Sequence, residues 1–204
     1  MPAPSDFRLV LASASPARLA TLRAAGLDPE VVVSDVDESL VTGLAPADLA
    51  VELARRKGEA VAARLEDPAA VVVGCDSVLE LDQTAYGKPH DVCTAVARWR
   101  AMRGRSGILH TGHHVRVGTA TTTRGAATVV HFADLDDAEI DAYVATGEPL
   151  VVAGGFTVDG LGGAFVTRIE GDHHNVVGIS LPLLRTMLAE LGVRWTDLWG
   201  PQPR

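Results

Sequence analysis

Leu11 to Arg18, LASASPAR, is the stretch on which the reading of the fold turns. The apolar run Leu9–Ala12 before it predicts a first strand. After it, Leu19, Leu22 and the alanines recur at helical spacing until Gly26, a helix stop. Between the two stand Ser13, Ser15 and Pro16, and proline suits a first helical turn because its missing N–H would be unpaired there anyway. A strand handing over to a helix through small hydroxyl residues leaves backbone N–H groups free. Those groups and the helix dipole attract phosphate, and Arg18 can fork onto the same anion. An ordinary capped strand–helix turn has the same layout, so the rest of the chain has to decide.

Outward from that turn, strands and helices alternate. Glu30–Ser34 predicts a second strand, followed by an acidic loop in which Asp35, Asp37 and Glu38 form either a solvated turn or half of a hard-cation site. Pro46 opens a helix to about Leu65. Its apolar steps leave Lys57 beside the buried stripe, free to snorkel to water or to reach an anion in a cleft. Ala69–Gly74 is almost wholly apolar and continues through Cys75-Asp76-Ser77 into Val78–Leu81, a strand covered on both faces. An aspartate inside such a run is costly unless paired or ligating a metal, which singles out Asp76. Gly87-Lys88-Pro89 then puts a lysine on a stiff loop, and Asp91 caps a helix to Met102 whose apolar side is Val96, Trp99 and Met102.

From Ser106 to Asp134 the Thr- and Val-rich pattern predicts β structure. His110, His113 and His114 lie there without cysteine or carboxylate company and are not read as a metal site. Asp136–Thr146 predicts a short helix with Ile140 and Tyr143 inward and Gly147 as its stop. Glycines then crowd between strand-like pieces from Ala153 to Gly163, allowing either a close backbone approach to a ligand or hairpin turns. Leu181–Leu191 predicts a last helix, and the tail from Trp195 to Arg204 is expected to be peripheral.

Composition narrows the class. A formal charge of −8 argues against non-specific nucleic-acid binding, which wants a basic face. No stretch is long and apolar enough for a bilayer, MPAPSDFR has no signal-peptide layout, and two cysteines cannot make a disulfide framework. A cytoplasmic protein without nucleic-acid or membrane partners is expected. Of the 18 basic residues only Lys57 and Lys88 are lysine, which marks them as places where a compact point charge is needed. The alternation implies an α/β protein, a mixed central sheet flanked by helices with a cleft between two lobes, residues 1–204 forming one domain.

LASASPAR, DVDES, ARRKGEA, VVGCDSV, YGKP, HTG, GEP…AGGF and RIEG…NVVG follow one another in the order seen in the Maf family. The chain resembles that family from Leu9 to about Leu191. The resemblance implies a Maf/ITPase-like fold and a cytoplasmic nucleoside triphosphate pyrophosphatase, in a family also named for inhibition of septum formation. It puts Ser13 and Arg18 in the phosphate-binding loop, where the Ser13–Ser15 backbone would donate N–H groups to the substrate, and Glu38 at the family's acidic position. Lys57 and Lys88 fall on its two lysines, and Asp76 on the aspartate taken as catalytic base. It further implies Mg²⁺ or Mn²⁺ held by Glu38 and Asp76, a nucleoside triphosphate as substrate, and room for a homodimer. Two departures stand out. Ala17 replaces the first of two arginines common in the family. Ser77 and Asp159 occupy positions that track base preference there and match neither known pattern. The rival from another class is a nucleotide-sensing regulator of septum formation without turnover, and pyrophosphate release separates the two. A phosphosugar or nucleotidyl transferase would need an acceptor site that the sequence does not display.

Overall fold

The computed structural model describes residues 7–65, 67 and 69–199. Strand β1 (Arg8–Ala12) leads through Ser13–Ser15 into helix α1 (Pro16–Ala24), capped by the Ser15 side chain and with Pro16 in its first turn, as expected. Strand β2 (Glu30–Val31) is shorter than the strand expected over Glu30–Ser34. Only two residues pair with β1, and the chain bends at Asp35, whose φ is +54°. Helix α2 (Pro46–Leu65) and strand β3 (Ala70–Leu81) follow, with Asp76 in the middle of β3. Strand β4 (Thr84–Tyr86) folds back on β3, and helix α3 (Val92–Met102) starts at its Asp91 cap.

Strands β5 (Ser106–Val117) and β6 (Ala120–Phe132) form a long hairpin. Helix α4 (Asp137–Ala145) begins with a reciprocal capping box between Asp136 and Glu139. The glycine-rich segment beyond it holds no strand until β7 (Val166–Glu170). Short 3₁₀ turns occupy Glu148–Val151, Ala153–Gly155 and Leu161–Phe165 instead of the expected strand-like pieces. Gly154 and Gly155, both near φ +75°, break any extended run there. Helix α5 (His173–Val177), which apolar periodicity does not reveal, precedes α6 (Leu181–Glu190). The described part of the tail is not peripheral: Leu198 joins the core beside Leu22 and Leu27, and the Trp199 indole donates to the Ala25 carbonyl. Residues 200–204 lie outside the described residues.

One mixed sheet runs through the described chain in the order β2-β1-β3-β5-β6-β7, with β4 on β3. β1 is parallel to β2 and β3, and the other pairings are antiparallel. One core packs α1 and α6 against β1 and the first half of β3. A second gathers α3, α4 and the far ends of β3, β5 and β6 around Trp99, whose ring meets Phe132, Tyr143 and Phe165 edge-on. Helix α2 covers the opposite face from α1. No helix among the described residues is long and apolar enough to cross a membrane.

Two features of this sheet place the site. First, β1 pairs with β3 only as far as Gly74, and β4 begins pairing at Leu79. Cys75–Val78 therefore has a strand neighbour on the β5 side alone, leaving a notch in the edge between the two cores. Second, α2 lies on a track without side chains. Gly112 pairs directly with Gly125 and sits opposite Asp76. A Cβ at Gly112 would come within 2.1 Å of the Ala50 carbonyl oxygen, and one at Gly74 within 2.5 Å of the Ala54 oxygen. The absence of those atoms lets the helix settle onto the sheet.

Candidate active site

Side chains alternate along a strand, so Asp76 and Ser77 leave β3 on opposite faces at the notch. Asp76 points toward α2, where Lys57 Nζ donates to its Oδ1 at 2.5 Å and contacts Glu38 Oε1 at 2.6 Å. Glu38 reaches there from the 3₁₀ turn Glu38–Leu40, which Asp37 caps through the Ser39 N–H. The acidic loop thus splits by role: Asp35 pairs with Arg64, Asp37 caps, and Glu38 alone reaches the site. Asp76 is only 7% exposed. Burial pushes its carboxyl above the usual range even though Lys57 and Arg18 pull the other way.

On the α1 face, Arg18 is buried and almost fully engaged. Nε donates to the Gly178 carbonyl, NH1 to Ser13 Oγ and the Cys75 carbonyl, and NH2 to Ser77 Oγ. A guanidinium has five N–H donors, so one remains for a ligand. Ser13 Oγ accepts from Arg18 and from the Ser15 N–H, which leaves its own proton free. Ser15 Oγ receives the Arg18 N–H, and the N–H groups of Ala14 and Ala17 have no acceptor among the described residues. The turn therefore offers a hydroxyl, two backbone N–H groups and one guanidinium N–H at a helix start, an arrangement that suits phosphate.

Ser77 has a fixed polarity. Thr111 Oγ1 donates to the Asn175 carbonyl at 3.1 Å, an atom that can only accept. Thr111 must then accept the Ser77 proton across their 2.9 Å contact. With Arg18 donating to it as well, Ser77 presents only a lone pair to the notch. Asn175, wholly buried, also donates through Nδ2 to the Leu109 carbonyl and Thr128 Oγ1. His113 completes this face. Its Nε2 accepts from the Ser180 N–H, so its proton sits on Nδ1 toward the Thr111 carbonyl, and the ring is neutral. Burial, with help from Arg18, pushes its pKa down to about 4. Thr111, Asn175, Ser180 and His113 escape a search for charged groups. The first two stand inside HTG and NVVG, motifs that carry the resemblance without advertising a role.

Lys88 is exposed on the turn after β4, and among the described residues no carboxylate lies within ion-pair distance of it. Asp159 is exposed farther along α1, at the rim of a hollow of about 300 Å³ that Thr21, Ala24, Ala25, His173 and His174 also line. It does not touch Ser77. Glu148, of the GEP motif, organises that segment. It accepts from Tyr143, Thr157 and the N–H groups of Leu161 and Gly162. Burial works against ionisation there, but those donors outweigh it and hold the carboxyl below its usual range. A roomier hollow of about 490 Å³, between Leu40–Leu44 and α2, includes none of Ser13, Arg18, Lys57 or Asp76.

The chemistry of the donors limits what the site can hold. Burial pushes the Cys75 thiol up to about 11, so it is not a nucleophile at neutral pH. His110 binds Glu80 and His114 binds Thr123, leaving the histidines dispersed. No cluster of three or more His, Cys, Asp or Glu among the described residues has metal-binding geometry. Glu38 and Asp76 nevertheless converge on one point, the Lys57 ammonium. Two carboxylates fit a hard cation that takes its other ligands from substrate oxygens and water.

Residues 8–191 match the family described as Maf-like protein. The chain belongs to that family. A relative from Salinispora tropica, named nucleoside triphosphate pyrophosphatase, is 59% identical over 199 residues, covering 95% of this chain and 88% of its own. One of the same name from Streptomyces coelicolor is 57% identical over 196 residues, 95% of each chain. Among solved structures, the Staphylococcus aureus Ham1 protein is similar at 18% identity and a TM-score of 0.42, over 62% of this chain and 72% of that one. The Maf-like assignment and the mixed sheet flanked by helices agree with what the motif order implies.

Proposed function

We propose that the chain hydrolyses nucleoside triphosphates between the α and β phosphorus atoms, releasing a nucleoside monophosphate and pyrophosphate. The observation that carries this reading is the Glu38–Lys57–Asp76 contact at the notch. It lies one residue from the Cys75 carbonyl that anchors Arg18, and so beside the anion-binding turn.

The triphosphate lies along the free edge of β3, between the Ser13–Arg18 turn at the end of β1 and the Lys88 turn after β4. The Ser13 hydroxyl, the Ala14 and Ala17 N–H groups and the spare Arg18 N–H meet phosphate oxygens on one side, and Lys88 meets them on the other. Asp76, with its pKa raised, is a stronger base than an ordinary aspartate and accepts a proton from the attacking water. The new bond joins that water's oxygen to the α phosphorus, and the bond to the bridging oxygen breaks with its electrons staying on pyrophosphate. Lys57 bridges the two carboxylates in the free site and has a phosphate oxygen as its alternative partner once substrate arrives. Mg²⁺ or Mn²⁺ held by Glu38 and Asp76 would offset phosphate charge and polarise the reacting phosphoryl group.

Base preference falls to Ser77 and Asp159 in this reading. Ser77, limited to accepting, meets a donor on the nucleobase edge, and Asp159 meets the base from the α1 side. Asp159→Gln should shift relative rates among nucleotides while leaving phosphate handling intact, a change read from kcat/KM ratios across the series.

The test is a panel of canonical and modified triphosphates with all products quantified. Equal amounts of monophosphate and pyrophosphate are expected. Diphosphate with inorganic phosphate would move the cut to the wrong bond, and saturable binding without turnover would make the protein a nucleotide sensor.

A further inference from the structure

Arg98 is a buried cation of the second core with no carboxylate counterpart within ion-pair distance among the described residues. It projects from α3 and is 9% exposed. Its Nε is buried with no acceptor. Its guanidinium lies 4.9 Å from the centroid of the Tyr86 ring, which offers a weak cation–π contact. Burial pulls its pKa down. An unpaired charge held this way is expensive, and an apolar side chain of similar length would fill the space without that penalty.

What the arginine does hold is one carbonyl. Its NH1 donates to the Gly87 oxygen at 2.5 Å, the same oxygen that receives the Gly154 N–H at 3.0 Å. The next residue is Lys88. Beyond it, Pro89 is buried, with its ring near Gly155, and the His90 N–H donates to the Leu150 carbonyl. Gly87 and His90 are thus pinned on either side of an exposed Lys88, whose own side chain has no ion-pair partner among the described residues.

We propose that Arg98 is a positioning residue that fixes the backbone of the Lys88 turn, so that the Lys88 ammonium stands over the notch where the phosphates lie. The inference rests on the proposed role of Lys88 in substrate binding. A planar guanidinium suits the task because it can reach a carbonyl from inside the core with one edge while its face lies on Tyr86.

The experiment compares Arg98→Met, Arg98→Lys, Lys88→Met and the Arg98→Met/Lys88→Met double variant in pyrophosphate release and melting temperature. Arg98→Met should keep or raise the melting temperature, because a buried charge is removed. Its KM should nevertheless rise about tenfold, as expected when a binding group loses its orientation. Arg98→Lys, with a point charge that reaches the same carbonyl, should recover part of that loss. In the Lys88→Met background Arg98→Met should add nothing. Wild-type KM in Arg98→Met beside an impaired Lys88→Met would overturn this inference alone. A tenfold effect that persists in the Lys88→Met background, or one that tracks a fall in melting temperature, would also overturn it. Wild-type kinetics in Lys88→Met would remove Lys88 from the proposed mechanism, and the anchor's purpose with it.

Discussion

Asp76 and Lys57 form a buried ion pair in which the aspartate is held against its solvation preference. Asp76→Asn removes that charge while Lys57 keeps Glu38 at 2.6 Å, so the fold should lose little or no stability. Turnover should fall by at least ~100-fold, the usual scale for losing general-base assistance. Melting temperature and pyrophosphate release on one preparation check both halves, and near-normal release from a folded variant would exclude Asp76 as the base. His113 gives a pH prediction of known sign. Its folded pKa of about 4 lies below the unfolded value near 6.5, so between those values the unfolded chain binds more protons. Stability present above pH 6.5 should drain away as pH falls toward 4, by up to about 3 kcal/mol. His113→Gln should flatten the pH dependence of the denaturation midpoint over that window; an equal slope in both proteins would mean that His113 is not its source. Residues of this kind divide by legibility. An aspartate in an apolar strand stands out because desolvation makes it anomalous, and two lysines stand out against sixteen arginines. Thr111 and Asn175 do not, because a hydroxyl in a strand or an amide in a short helix is ordinary until its partners are known.

At the scale of elements, the reach of Lys57 to Asp76 depends on how deeply α2 sits on the sheet. Gly112→Ala would press a methyl group against the Ala50 and Val51 backbone, where nothing can rotate away. The helix must retreat, and we expect a stability loss of ~1–3 kcal/mol, typical of overpacking. Activity should fall further than the folded fraction does. Gly125→Ala is the matched control from the paired position. Its new atom would meet only Val51 Cγ2 at 3.1 Å, a side chain able to shift, and both properties should change little. Equal effects from the two variants would refute the close-approach account. The helices and long strands are readable from periodicity, caps and apolar runs, whereas the depth of α2 is not. A glycine in HTG looks like a turn signal, and its meaning emerges only when β5 brings it opposite Asp76 and under the helix. The 3₁₀ turn Leu161–Phe165 is equally hidden, since its first two N–H groups donate to Glu148 from 13 and 14 positions away.

For the molecule as a whole, the site exists because β1 stops short and β4 starts late along the same edge of β3. Opposite faces of one strand, and two cores, contribute to a single opening. If Glu38 and Asp76 hold the cation the phosphates require, a chelator should abolish pyrophosphate release, and Mg²⁺ or Mn²⁺ should restore it. Melting temperature of the nucleotide-free protein should stay unchanged, because Lys57 already bridges both carboxylates without a cation. Full activity in excess chelator would remove the cation from the scheme. The motif order made the family legible, but not the way in which a distant segment closes the site. Arg18 donates to the Gly178 carbonyl, 160 residues away, and Thr111 donates to the Asn175 carbonyl. Proteins are synthesised from the N-terminus at several residues per second and can begin folding on the ribosome. A nascent chain that has emerged as far as α4 already contains Ser13, Arg18, Glu38, Lys57, Asp76 and Lys88, yet lacks both carbonyls. Until α5 and the turn after it arrive, Arg18 has no acceptor for its Nε and Thr111 none for its hydroxyl, so Ser77 has no defined polarity. The growing polypeptide therefore carries the charged groups at the notch before it holds the arrangement that orients them, and that arrangement waits on α5 and the turn after it.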